Sequence, residues 1–198
     1  MTIGVLGFQK GFEQHIKLLE GEGITCKKIL TLEDLSTVEG LIIPHGNVVE
    51  LAASVQSTGL DKEIVRRVAL KKNPLVVLAL GSGTVLAAKK IVGHSALSPL
   101  GLIDIVVENA ERSVKDEIAD TSLSVDGIMT PLPVHVYTSL AITNLGTDIE
   151  VMAEYQQKTV CVRSDTVFAS TFDSFERSNL HMLFAMTVEM NNGLVDYL

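Results

Sequence analysis

The stretch that most constrains this chain is Pro74–Lys90, PLVVLALGSGTVLAAKK. Leu75–Leu80 is a continuous apolar run, as a strand buried on both faces of a parallel sheet requires. Gly81, Ser82 and Gly83 follow at once, and the sequence predicts a helix over Thr84–Val92. So abrupt a passage from strand to helix is the elbow that lifts a nucleophile above a sheet, with small residues two places either side of its apex. In the frame Ala79-Leu80-Gly81-Ser82-Gly83 the small flanks are Ala79 and Gly83, and the apex is Gly81. The elbow is present, and the atom that would attack a carbonyl is missing.

The segments before the elbow explain why it should sit in a wound sheet. Thr2–Leu6, Thr25–Leu30 and Gly40–Ile43 read as strands, and Phe12–Glu20, Val48–Val55 and Asp61–Lys71 as helices. Thr31-Leu32-Glu33-Asp34 reads as a capping box for a one-turn helix, with Thr31 as N-cap. Alternation of this kind predicts a right-handed, doubly wound parallel sheet. After residue 100 the pattern changes to short strand candidates: Leu102–Val107, Thr121–Val125, Val134–Tyr137, Ile149–Tyr155, Lys158–Arg163 and Thr166–Thr171. Several should pair antiparallel, with a hairpin at Tyr155-Gln156-Gln157-Lys158. Leu180–Met190 reads as a closing amphipathic helix. Ligands of such sheets sit beyond the carboxyl ends of the parallel strands. The loops Gly7–Gly11, Pro44–Asn47 and Gly81–Gly83 fall there, joined by Phe172–Phe175 if its strand is parallel.

Composition narrows the function classes. With 198 residues and 46% hydrophobic content, the chain can bury a substantial core as one domain spanning 1–198. A formal charge of −8 argues against general nucleic-acid binding, which wants a basic stripe. The opening MTIGVLGF reads as a first strand rather than a signal peptide, and no apolar run is long enough to span a membrane. A cytoplasmic protein is expected. Cys26 and Cys161 lie in no metal-ligand or redox spacing and read as reduced core thiols. No metal or cofactor motif is present: Gly4 and Gly7 lack the dinucleotide fingerprint, and the Gly81-Ser82-Gly83-Thr84 turn lacks the lysine of a P-loop, leaving at most an anion site.

Several blocks then combine. Ile3–Gly7 (IGVLG) is followed by Gln9, Phe12, Glu13 and His15; Gly40–Pro44 (GLIIP) by Gly46; then come Leu86–Lys89 (LAAK), Leu100–Asp104 (LGLID), Asn109-Ala110 and Val151–Tyr155 (VMAEY). In order and spacing this resembles the glutaminase subunit of pyridoxal 5′-phosphate synthase, a class I glutamine amidotransferase family, over nearly the whole chain. The resemblance implies an α/β, three-layer, flavodoxin-like fold with a mostly parallel central sheet and added antiparallel strands. It also implies a Cys-His-Glu triad that cleaves glutamine and passes ammonia to a partner synthase for vitamin B6 synthesis.

This sequence departs from that pattern where the chemistry should be. The nucleophile position is Gly81. The His-Pro-Glu of the family falls on Asp173-Ser174-Phe175, so the base is Asp173 and its orienting residue is Phe175. The Pro-Gly-Gly-Glu-Ser-Thr loop reads Pro44-His45-Gly46-Asn47-Val48-Val49. The family arginine before Asn-Ala is Glu108, and a second family arginine falls on Tyr137. Loss of a nucleophile alone costs about 10⁶-fold in a triad enzyme, so the expectation is a catalytically inactive homologue, a pseudoenzyme with a binding or regulatory role. Its residual pocket would be His45, Gly46, Asn47, Gly81, Ser82, Glu108, Tyr137 and Asp173. Gln9 and Lys10, in the turn that docks the synthase in the family, would contact a partner: the synthase subunit or an active glutaminase paralogue.

Two alternatives stand beside it. One is an active ammonia-supplying amidotransferase working through Cys26 or Cys161. The other is a repurposed hydrolase with Ser82 as nucleophile and His45, or secondarily His135, as base. Against the latter, Ser82 lies one place off the apex, where a small residue can simply cap the following helix. His45 and Asp173 could also face each other, a weak metal site without a third ligand. His94 and His181 read as an ordinary loop residue and helix residue, with no partner motif near either.

Overall fold

The computed structural model describes residues 1–93, 97–109, 118–174 and 179–193. Five parallel strands form its centre: β1 (Thr2–Leu6), β2 (Thr25–Ile29), β3 (Gly40–Ile43), β4 (Val76–Leu80) and β12 (Val167–Ser170). Two antiparallel strands, β10 (Glu150–Tyr155) and β11 (Lys158–Arg163), extend it to seven in the order β10-β11-β12-β4-β3-β1-β2. The mostly parallel sheet with added antiparallel strands is therefore as expected from the sequence.

The strands sort their side chains by parity, which makes three layers. On β3 and β4, Leu41, Ile43, Val77 and Ala79 pack into one core. That core also holds residues of α2 (Leu32–Ser36), α3 (Val48–Thr58), α4 (Leu60–Val68) and α5 (Ser82–Ala87). Ile42, Val76, Leu78 and Leu80 pack into the other, with α1 (Phe12–Gly21) and α6 (Asn179–Gly193). The capping box forms as read: Thr31 accepts from the Asp34 amide while Asp34 accepts from the Thr31 amide. The β10–β11 hairpin turns through Gln156 and Gln157 at φ 49° and 63°, the left-handed pair a tight two-residue turn demands.

Some expectations fail for identifiable reasons. The helix behind the elbow ends at Ala87, and Ala88–Val92 is strand β5, paired parallel with β6 (Ile103–Asn109). The apolar spacing of LAAKKIV fits either state, and the partner strand decides it. Likewise α4 stops at Val68, short of Lys71. Two strands were missed. Leu140–Thr143 is β9, which pairs antiparallel with β6 and completes a three-stranded sheet with β5. Phe172–Asp173 is β13, which leaves the line of β12 and pairs with β8 (Leu132–Tyr137); β7 (Ile118–Leu123) is the third strand of that sheet. Among the described residues no helix is long and apolar enough to cross a membrane.

Candidate functional site

The elbow forms at the carboxyl end of β4, with Gly81 at φ 53°, ψ −121°. An L side chain is strained in that backbone conformation, which is where a nucleophile elbow places its apex. The turn is held from beneath. The Gly81 amide donates to the Ser170 carbonyl at 2.8 Å. The Thr84 hydroxyl reaches the Ala79 and Ser170 carbonyls at 3.1 and 2.7 Å. At Gly83 a Cβ would lie 2.3 Å from the Ile43 carbonyl oxygen, so only glycine lets α5 come this close to β3.

The space above Gly81 is filled. A Cβ there would stand 2.4 Å from His45 Nδ1 and 2.8 Å from Tyr137 Cε2. The two rings stack, centroids 3.8 Å apart and 6° from parallel. His45 Nδ1 accepts from the Ser82 amide at 3.1 Å, which places the proton of the neutral ring on Nε2. The Tyr137 hydroxyl donates to Asp173 Oδ2 at 2.7 Å. Asp173 is fully buried, and its Oδ1 has no partner. Burial, opposed by the Tyr137 hydrogen bond and the His135 charge, pushes its carboxyl up to about 6. His45 and Asp173 thus meet through Tyr137 rather than facing each other as a metal pair.

Ser82 does not cap α5: no side-chain cap bond forms there, and the N-cap position is Gly81. Its hydroxyl instead donates to the Gly46 carbonyl at 2.5 Å and accepts from the Gly46 amide at 2.8 Å, locking the two loops together. The Ser82–His45 contact exists, but it runs through the serine backbone and not through Oγ. His135 pairs with Asp120 Oδ1 at 2.5 Å on the β7–β8 ladder. No serine–histidine dyad is assembled by these contacts.

Asn47 serves as the N-cap of α3, accepting from the Val49 and Glu50 amides. Its carbonyl takes a 2.6 Å hydrogen bond from Gln9 Nε2, bridging the β1 and β3 loops. Gln9 and Lys10 line an outer cavity of about 560 Å³ with Glu13, Asn47 and Glu50. Glu108 stands exposed on β6, its bond at 3.4 Å coming from Thr143 of the same small sheet rather than from the ring stack. Phe175, His94 and Ala110 lie outside the described residues.

The thiols are poorly suited to attack. Cys161 is buried on β11, and burial pushes it up to about 12. Cys26 is only half-buried rather than a full core thiol; burial first, then the Glu20 charge, push it up to about 12. Neither is a thiolate near neutral pH. Among the described residues no group of three or more potential metal ligands occurs.

One constellation was missed. His181, read as an ordinary helix residue, is fully buried with its Nε2 2.9 Å from His15 Nδ1. The signal lay in the helical pattern: each histidine falls on the apolar face of its own helix, beside Leu19 and Phe184 respectively.

Comparison with known proteins is consistent with this architecture. The sequence profile of the SNO glutamine amidotransferase family matches residues 5–190. The pyridoxal 5′-phosphate synthase subunit PdxT of Pseudothermotoga lettingae is 30% identical over 172 residues, 87% of each chain. PdxT of Thermotoga sp. strain RQ2 is 29% identical over 87% of this chain and 90% of its own. A crystal structure of a glutamine amidotransferase, 27% identical, superposes with a TM-score of 0.86 over 94% of this chain and 98% of that one.

Proposed function

The chain belongs to the SNO glutamine amidotransferase family, and from that premise we propose that it keeps the scaffold without the glutamine hydrolysis. It would act as a single-domain binding or regulatory protein, its partner being a pyridoxal phosphate synthase subunit or an active glutaminase paralogue. One observation carries this reading: the apex of the elbow is glycine, and the volume its side chain would need is occupied by His45 and Tyr137. No sulfur or hydroxyl stands at the apex to attack an amide. The base position is a buried carboxyl, and the Ser82 amide, on the residue after the apex, is already engaged by His45. The turn of Gln9 and Lys10, on the rim of the outer cavity, is the proposed partner contact.

A second reading is favoured by the relatives, which are pyridoxal 5′-phosphate synthase subunits matched over most of their length. On that reading the chain is an amidotransferase supplying ammonia for vitamin B6 synthesis. The two separate in a glutamate-release assay, run alone and with a pyridoxal phosphate synthase subunit. We expect no turnover above buffer in either case, and co-sedimentation with the synthase or with an active glutaminase. Turnover that disappears on Cys161→Ser or Cys26→Ser would establish the second reading. The hydrolase variant of the proposal predicts fluorophosphonate labelling of Ser82, which a hydroxyl committed to Gly46 should not give.

A further inference from the structure

The loop carrying His45 is clamped on both sides. Ser82 Oγ holds Gly46 through its amide and its carbonyl, and Gln9 holds the Asn47 carbonyl. Gln9 also packs so closely on Gly46 that a Cβ there would lie 1.7 Å from Gln9 Oε1. Tyr137 is fixed equally well, with its amide on the Thr171 carbonyl at 2.9 Å and its hydroxyl on Asp173. Between these anchors the rings lie face to face over Gly81, and the atoms nearest the missing side chain are ring atoms, not the ends of flexible chains.

We propose that His45 and Tyr137 form a built-in plug, which closes the elbow pocket to small molecules and takes the Ser82 amide for itself. This rests on the reading of the chain as a non-hydrolysing member and deepens it. Absence of a nucleophile would leave an open pocket able to hold glutamine. A plug excludes the ligand as well, whether or not a partner is docked. It also makes the loss hard to reverse, because a side chain restored at position 81 collides with rings anchored from two other loops.

The test puts a reporter where the plug should act. In Gly81→Cys, alkylation of residue 81 by iodoacetamide, read on its own peptide by mass spectrometry, should be at least about 10-fold slower than in His45→Gly/Gly81→Cys. Equal rates in the two proteins overturn the plug. Should Gly81→Cys fail to fold, the unaltered protein answers by NMR. The His45 ring protons should be displaced upfield by the face of Tyr137, and that displacement should vanish in Tyr137→Leu. Unshifted His45 signals overturn the proposal. Glutamine hydrolysis by the unaltered protein would overturn the non-hydrolysing reading, whereas the labelling rates and ring shifts report on the plug by itself.

Discussion

The elbow pocket and the contact between α1 and α6 both bury titratable side chains, and they do so in opposite senses. In the pocket Asp173 is an acid whose burial favours its protonated form. Between the helices His15 and His181 are bases whose burial favours their unprotonated form, lowering them to about 4 and about 3. Among the described residues, Asp173 Oδ1 in the pocket and His181 Nδ1 between the helices are both buried without a hydrogen-bond partner. The contrast teaches that burial penalises the charged form at both places, so that pH pulls on the two in opposite directions. It also separates two kinds of histidine. His45 is held by a backbone donor and a ring face at the elbow, while His15 and His181 fasten one helix to another.

The largest effect should come from crowding the pocket. Gly81→Ala places a methyl against His45 and Tyr137 in a backbone conformation that costs an L residue strain. Strain and overpacking together should cost roughly 3–5 kcal/mol. Urea unfolding measures it, and pairing the change with His45→Gly should recover part of the loss. A fully additive pair would mean that the ring is not what the methyl meets.

Next comes the helix pair. The unfolded chain takes up protons at its histidines below about pH 6.5, while the folded pair resists protonation until about pH 4. Stability contributed by this region is therefore present near neutrality and lost as pH falls from about 6.5 toward 3, by roughly 3 kcal/mol for the first proton. His181→Phe should flatten that acid limb. An unchanged limb would show that the pair titrates normally in the folded protein.

Asp173 works against it. The folded protein keeps this proton up to about pH 6, while an unfolded aspartate has lost its own by roughly pH 4. Its contribution is present at low pH and declines as pH rises between those values, by roughly 2–3 kcal/mol. In the unaltered protein the two limbs overlap and partly cancel. Asp173→Asn should unmask the histidine limb, raising stability relative to the unaltered protein more at pH 7 than at pH 4. An Asp173→Asn difference that does not change with pH would place the carboxyl's titration at its ordinary value.

These two regions were unequally legible in the sequence. The strands β1, β3 and β11 could be read to the residue, because short β-branched runs end at glycine, proline or charge. Gly81, His45, Tyr137 and Asp173 were picked out because a family pattern assigned chemistry to their positions. How they would fit was not visible: stacking of residues 45 and 137 depends on two loops and a strand from a separate small sheet converging over one glycine. The His15–His181 bond was missed for a related reason. It joins residues 166 positions apart, and periodicity shows only that each faces inward, not that they face each other. The passage from α5 to β5 was misread because Ala88–Val92 suits either state until β6 lies beside it.

The smallest effect separates the plug's stacking from its anchoring. Tyr137→Phe keeps a ring over His45 but removes the hydroxyl that Asp173 accepts from. At low pH the carboxyl is neutral, and the loss should be about 1 kcal/mol, that of an ordinary hydrogen bond. The same hydroxyl favours the ionised carboxylate, so without it the Asp173 transition should move to higher pH. The difference between Tyr137→Phe and the unaltered protein should then widen as pH rises through about 6, reaching roughly 2 kcal/mol. If the widening occurs while the His45 ring shifts persist, anchoring and stacking are separable, and the rings fill the pocket by packing alone. If His45 also loses its displaced shifts, the Tyr137–Asp173 bond is what holds the stack over Gly81, and Asp173 is the foot of the plug.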